Sequence, residues 1–180
     1  MPAKTPKETI DVSSIADPLS GHRLPGNTLE EVVNSGSIVI LHFLRQLGCR
    51  FCKHSVDQIR KFAAENPNFP EIIFVHQGDK QEGDAFFQEF YPNAPHIADP
   101  KLKLFRLFKI PVAPMIDILH PVMIWRAIKL TLMGYPNEQK GNPRILSGTF
   151  LFFNGKLAWS HRAKIAGDEP NWSKLKVLVK

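Results

Sequence analysis

Apolar runs and polar breaks divide the chain into short elements. Ser37 to Leu44 (SIVILHFL) is continuously apolar and rich in β-branched residues, the length of a strand buried on both faces. Arg45 to Gly48 interrupt it, and from Cys49 to about Glu65 the spacing turns helical, with Val56, Ile59 and Ala63 recurring on one face before Asn66-Pro67. Glu71 to His76 (EIIFVH) predicts a second strand. A helix follows from the Gly78-Asp79 loop to about Tyr91, carrying Phe86, Phe87 and Phe90. His96 to Ala98 reads as a third, short strand. Asp99-Pro100 has the composition of a helix start, Asp as cap and Pro in the first turn, for a helix ending near Ile110. Upstream, Thr28 and Glu31 have capping-box spacing and predict a short helix to about Asn34. Downstream, Thr149 to Phe153 and Lys156 to His161 flank Asn154-Gly155, two residues that tolerate positive φ, which predicts a hairpin. A short helix from about Asn171 ends the pattern.

Strands separated by helices pair in parallel through right-handed crossovers, and a terminal hairpin adds antiparallel strands. The expected fold class is therefore α/β, a mixed sheet with helices on both faces and a helical insertion before the C-terminal hairpin. Residues 1–26 read as an extended leader. Residues 27–180 read as a single domain with its insertion at about 111–146. Within the insertion, Met115 to Met133 predicts a helix. Asp117, His120, Arg126 and Lys129 make it too polar to span a membrane, so burial against the sheet is the simpler expectation.

With 43% hydrophobic and 22% charged residues among 180, the chain is neither disordered nor fibrous, and two cysteines are too few for a disulfide scaffold. The net charge of +6 comes from scattered basic residues with no block of like charge, a solvated surface and not a nucleic-acid interface. The first twenty residues hold no apolar run of the kind a secretory signal needs, so a cytoplasmic location is expected. There thiols stay reduced, and a close cysteine pair points to catalysis or metal binding more than to a structural bridge.

Cys49-Arg-Phe-Cys52 stands between the first long strand and its helix. Free amides and the positive end of the helix dipole meet the first sulfur there and favour a thiolate, the nucleophilic form. Cys52 lies one turn on, close enough to trap an adduct on Cys49. Arg45, four residues before Cys49, could lend its charge to an anionic sulfur, and Gly48 could leave room for a substrate. The competing readings are two packed, inert thiols, or a metal site with His54. The latter lacks a second cysteine pair to complete four ligands, so no metal is expected. His161 and Asp168 read as residues at and after a strand end.

These residues carry a resemblance. Ile40 to Cys52, with its Arg-x-x-Gly-Cys-x-x-Cys turn, Asp99 to Ile110, and Gly141 to Arg162 with Gly167-Asp168 together resemble the thioredoxin superfamily, and within it the peroxiredoxin-like group of the AhpC/TSA (alkyl hydroperoxide reductase/thiol-specific antioxidant) class. The likeness covers about residues 28–172. It implies a thioredoxin-like fold in which Cys49 attacks and Cys52 is its partner. Ser147-Gly148-Thr149 would occupy the place where thioredoxins carry a cis-proline facing the disulfide, which makes Gly148 and Thr149 supporting residues. Gln46 stands where typical peroxiredoxins have Thr. The implied function is a thiol-dependent oxidoreductase that reduces a peroxide without a bound cofactor. Its partners would be the peroxide or a disulfide substrate and an external thiol donor such as a thioredoxin or glutathione, with a homodimer compatible. Two other readings stand beside it: a thiol-disulfide reductase on protein substrates, and a redox-inactive binding module whose partner surface is Met115, Met123, Trp125 and Met133.

Overall fold

The computed structural model describes residues 8–114, 121–138 and 141–179. Its frame is one six-stranded sheet in the order β1-β4-β3-β2-β5-β6. The centre is parallel: β2 (Ile38–Phe43) pairs with β3 (Ile72–His76), and β3 with β4 (His96–Ala98). Both flanks are antiparallel. β5 (Gly148–Phe153) lies along β2 with Ile40 opposite Leu151, and β6 (Lys156–Arg162) returns along β5. Asn154 (φ 47°) and Gly155 (φ 74°) make the tight turn between them, as the Asn-Gly pair requires.

Alternation along the buried strands feeds two cores. Val39, Leu41, Phe43, Ile73, Val75, Phe150 and Phe152 face α1 (Leu29–Val33) and α4 (Lys103–Leu107). Ile40, Leu44, Ile72, Phe74 and Leu151 face α2 (Arg50–Glu65), α3 (Lys80–Phe90) and α6 (Trp172–Leu178). The mixed sheet with helices on both faces is thus present, and the hairpin follows the insertion. The caps are local: reciprocal boxes Thr28/Glu31 on α1 and Asp79/Glu82 on α3, and Asn171 accepting from the Lys174 amide on α6.

Three features differ from the sequence pattern. Helix α4 begins at Lys103, because Leu102 adopts a left-handed conformation (φ 55°) that breaks the turn after Pro100. Asp99 still caps it, from further away: its carboxylate accepts from the amides of Lys103, Leu104 and Phe105. Secondly, the segment expected as a leader carries structure from residue 8. Ile10 is buried in the core, and β1 (Ser20–His22) forms a sheet edge against β4. Thirdly, the insertion helix α5 (Pro121–Leu132) is not buried. Leu130 packs inward, but Trp125 is 69% and Leu132 83% exposed. The expected start of that helix at Met115 lies outside the described residues. No helix among the described residues is long and apolar enough to cross a membrane.

Candidate active site

Strand β2 ends against the sheet's centre, and the four residues after Leu44 carry the chain to α2. Cys49 is the N-cap of α2, extended in backbone (ψ 126°), with no side-chain cap. Its carbonyl takes the Lys53 amide and its own N–H donates to Gln46 O. The sulfur therefore stands where helix amides are unpaired. The Cys52 S–H donates to it, the Arg45 guanidinium lies beside it, and the amides of Cys52 and Phe51 point at it. These hold the Cys49 thiol down at about 6, although burial pushes it up. Arg45 Nη1 is 3.7 Å from Cys49 Sγ. Burial and the neighbouring Cys49 charge push Cys52 the other way, well above the ordinary thiol range. The pair is asymmetric: an anionic sulfur first, a protonated donor one turn along. Both are free thiols, 2% and 4% exposed.

Arg45 is not a solvated strand-end charge. Its Nε donates to Ile145 O at 3.1 Å, and its Nη2 donates to Pro143 O. Gln77, at the end of β3, donates to Arg45 O and Asn142 O and accepts from the Asn142 amide at 2.9 Å. These bonds tie the loop before β5 to the cysteine turn and fix the guanidinium.

The room expected beside Gly48 is filled by the chain itself. The Glu138 amide donates to Gly48 O at 2.8 Å, and a Cβ on Gly48 would collide with the Glu138 carbonyl. Residues 135–138 thus form a strap over the turn. Three further contacts hold the strap and α5: Lys53 Nζ to Glu138 Oε1 at 3.3 Å, Tyr135 Oη donating to Asp57 Oδ2 at 2.9 Å, and Arg50 Nη1 donating to Ala127 O at 2.8 Å. A 280 Å³ cleft between α2 and α5 remains, lined by Phe51, His54, Leu130, Met133 and Glu169 among others.

Gly148 and Thr149 serve the sheet. A Cβ on Gly148 would strike Ile110 Cδ1 at 2.6 Å, and Thr149 is fully buried with Oγ1 2.8 Å from His42 Nδ1. No described hydrogen bond links either to the sulfurs. Gln46 is also buried, with Oε1 unpartnered. His161 pairs with Asp168 (Nε2 to Oδ1, 3.5 Å). Among the described residues no group of three or more His, Cys, Asp or Glu side chains is arranged to hold a metal.

Beneath the pair lies a second ionisable couple that the motifs did not mark. His42 Nε2 and Glu169 Oε2 face each other at 3.7 Å, and both atoms are buried without a hydrogen-bond partner. Burial lowers His42 to about 3. Burial, Asp168 and Cys49 raise Glu169 to about 8, so it is protonated at neutral pH. A histidine inside an otherwise apolar strand was a signal for the first member. Nothing in the local sequence signals Glu169, which a turn after β6 brings in.

A family of AhpC/TSA antioxidant enzymes matches residues 56–164, a span that starts just after the cysteine pair. Three solved structures are similar along nearly the whole chain. One is the bacterioferritin comigratory protein of Xanthomonas campestris, whose description refers to alkyl peroxide reduction activity (21% identity, TM-score 0.59, 98% of each chain). Another is peroxiredoxin Q of the same organism (22%, 0.60, 98% of this chain and 97% of that one). The third is a PrxQ variant from Xylella fastidiosa (17%, 0.60, 96% of each). At these identities they establish the shared thioredoxin-like fold. No curated protein sequence matches the chain.

Proposed function

The chain belongs to the AhpC/TSA antioxidant enzyme family, and on that premise we propose that it is a thiol peroxidase working through a Cys49–Cys52 couple. The observation that carries the reading is the charge asymmetry of the pair: a thiolate held at about 6 with a protonated thiol donating to it from one turn away. In the first step the Cys49 sulfur attacks the terminal oxygen of a hydroperoxide. The O–O bond breaks, Cys49 becomes the sulfenic acid, and the alkoxide leaves with a proton. Glu169, protonated at neutral pH, is the nearby proton store. In the second step Cys52 attacks the sulfenic sulfur. The S–S bond forms, and hydroxide leaves as water with a proton equivalent to the one Cys52 gives up. An external thiol of the thioredoxin or glutathione kind supplies two electrons to restore the pair, and a cytoplasmic setting suits that demand.

Arg45 has two tasks in this cycle. Its guanidinium favours the thiolate before attack and offers donors to the peroxide oxygens during it. Burial of Cys49 sets the substrate's size. A small hydroperoxide needs only a narrow opening to reach the sulfur, whereas a polypeptide disulfide must first displace the strap at Gly48. That steric argument ranks peroxide reduction above protein-disulfide reduction.

The test is stopped-flow oxidation by hydrogen peroxide and by an alkyl hydroperoxide, followed by mass spectrometry. The expected product is a loss of two hydrogens on the peptide containing Cys49 and Cys52. Full turnover in Cys49→Ser, or faster reduction of insulin than of peroxide, overturns the proposal.

A further inference from the structure

Helix α5 shows its apolar residues to solvent. Ile124, Trp125, Ile128 and Leu132 are 48, 69, 48 and 83% exposed, and at about 100° per residue they fall within a ~100° arc. Leu130, on the opposite side, is buried, and the Ala127 carbonyl on that side takes the Arg50 guanidinium. The helix is therefore anchored by one side and unpartnered on the other among the described residues. An outward stripe of this composition, led by a tryptophan, is costly in water and calls for a cover.

Charge narrows what the cover is. Lys129 is exposed at the flank of the stripe beside Trp125, Arg126 is exposed on the side that lines the cleft with α2, and residues 121–134 contain no acid. A second copy docking by the same stripe about a two-fold axis would set Lys129 near its own equivalent, with no carboxylate on the helix to offset it. An anionic lipid surface has the opposite property. Its headgroups attract the flanking Lys129, and the boundary with the acyl chains receives Trp, Ile and Leu. The chain's net charge of +6 acts in the same direction. We propose that the outward face of α5 is a membrane-surface anchor that lies in the headgroup region of anionic phospholipid bilayers. The anchor is independent of the cysteine chemistry, so Cys49→Ser retains it.

The full chain is sedimented with vesicles of phosphatidylcholine, with and without phosphatidylglycerol, at low and moderate salt. Binding to the anionic vesicles is expected, with fluorescence quenched by brominated lipid. Trp125→Ser combined with Leu132→Ser, both outward-facing, should keep the native circular dichroism and weaken binding roughly tenfold or more for each side chain removed. Lys129→Gln should weaken it and flatten its salt dependence. A native protein that stays in the supernatant at low salt overturns the proposal. So does unchanged binding of the Trp125/Leu132 variant, which would reduce the effect to bulk charge. A concentration-dependent dimer that this variant dissolves would assign the stripe to a second copy instead.

Discussion

Replacing Cys52 with alanine removes the leading influence that keeps Cys49 anionic, the S–H donated to its sulfur. A hydrogen bond to a charged group contributes about 1.5–3 kcal/mol, and one pKa unit is about 1.4 kcal/mol, so the loss should raise Cys49 by ~1–2 units. From about 6 it would move to between ~7 and ~8. At neutral pH the thiolate fraction then falls from about nine-tenths to somewhere between a half and a tenth. Arg45→Gln should act in the same direction with a smaller rise. Its charge lies 3.7 Å from the sulfur but is shared with the carbonyls of Pro143 and Ile145. The assay is the ultraviolet thiolate band against pH for the wild type and both variants, beside the rate of the first peroxide step. That rate should drop roughly two- to tenfold at neutral pH in Cys52→Ala and recover once the pH exceeds the new pKa. A Cys49 that still titrates near 6 without its neighbour, or a larger shift from Arg45→Gln than from Cys52→Ala, would refute the reasoning.

Gly48→Ala should push the strap aside, because the new Cβ meets the Glu138 carbonyl; a bulky maleimide should then modify Cys49 faster, and an unchanged rate would show that the strap does not limit access. Acid should destabilise the fold through its buried histidines. His42 and His76 are lowered to about 3 and His96 to about 4 from 6.5, so stability is full above 6.5 and falls as the pH drops toward the folded values. At pH 5 the cost is about 2 kcal/mol for each histidine, readable as a lower urea midpoint, and a midpoint unchanged from neutral pH counts against it. Glu169 has the reverse sign: its folded value is above 4.5, so its contribution is present at acid pH and lost as pH rises toward about 8. Glu169→Gln should therefore be the more stable protein above neutrality while turning over peroxide more slowly, and a variant with undiminished turnover removes Glu169 from the proton path.

Much of the frame was legible because it is written in local chemistry. The apolar run around Ile40, the Thr28 capping box and the Asn154-Gly155 turn each depend on a few adjacent residues, and each stands where the pattern puts it. What the pattern missed is decided over distance. Strand β1 has only three residues and a Gly at its centre, and it exists because β4 offers an edge. The Asp99-Pro100 start slipped to Lys103 because Leu102 turns left-handed, which no composition rule foresees. The site divides the same way. Cys49, Cys52 and Arg45 lie within eight residues of each other, and their mutual placement follows from one strand-to-helix turn. Gly48 was read as an opening, but its neighbour Glu138 arrives from ninety residues downstream. Thr149, which the resemblance puts in the place of a cis-proline facing the disulfide, has its hydroxyl against His42, a contact with a residue distant in sequence. The outward stripe of α5 was misjudged because an apolar helix looks the same in sequence whether it is covered by protein or not.

The position of β2 bears on how the protein is made. On one side it pairs with β3, a short walk along the chain; on the other it waits for β5, with His42 opposite Thr149. Pairings this remote in sequence form slowly. During synthesis the two cysteines and Arg45 emerge long before the hairpin and loop that seat the guanidinium. Until then a nascent chain has thiols without the surroundings that tune them, and those surroundings arrive only with the last third of the polypeptide.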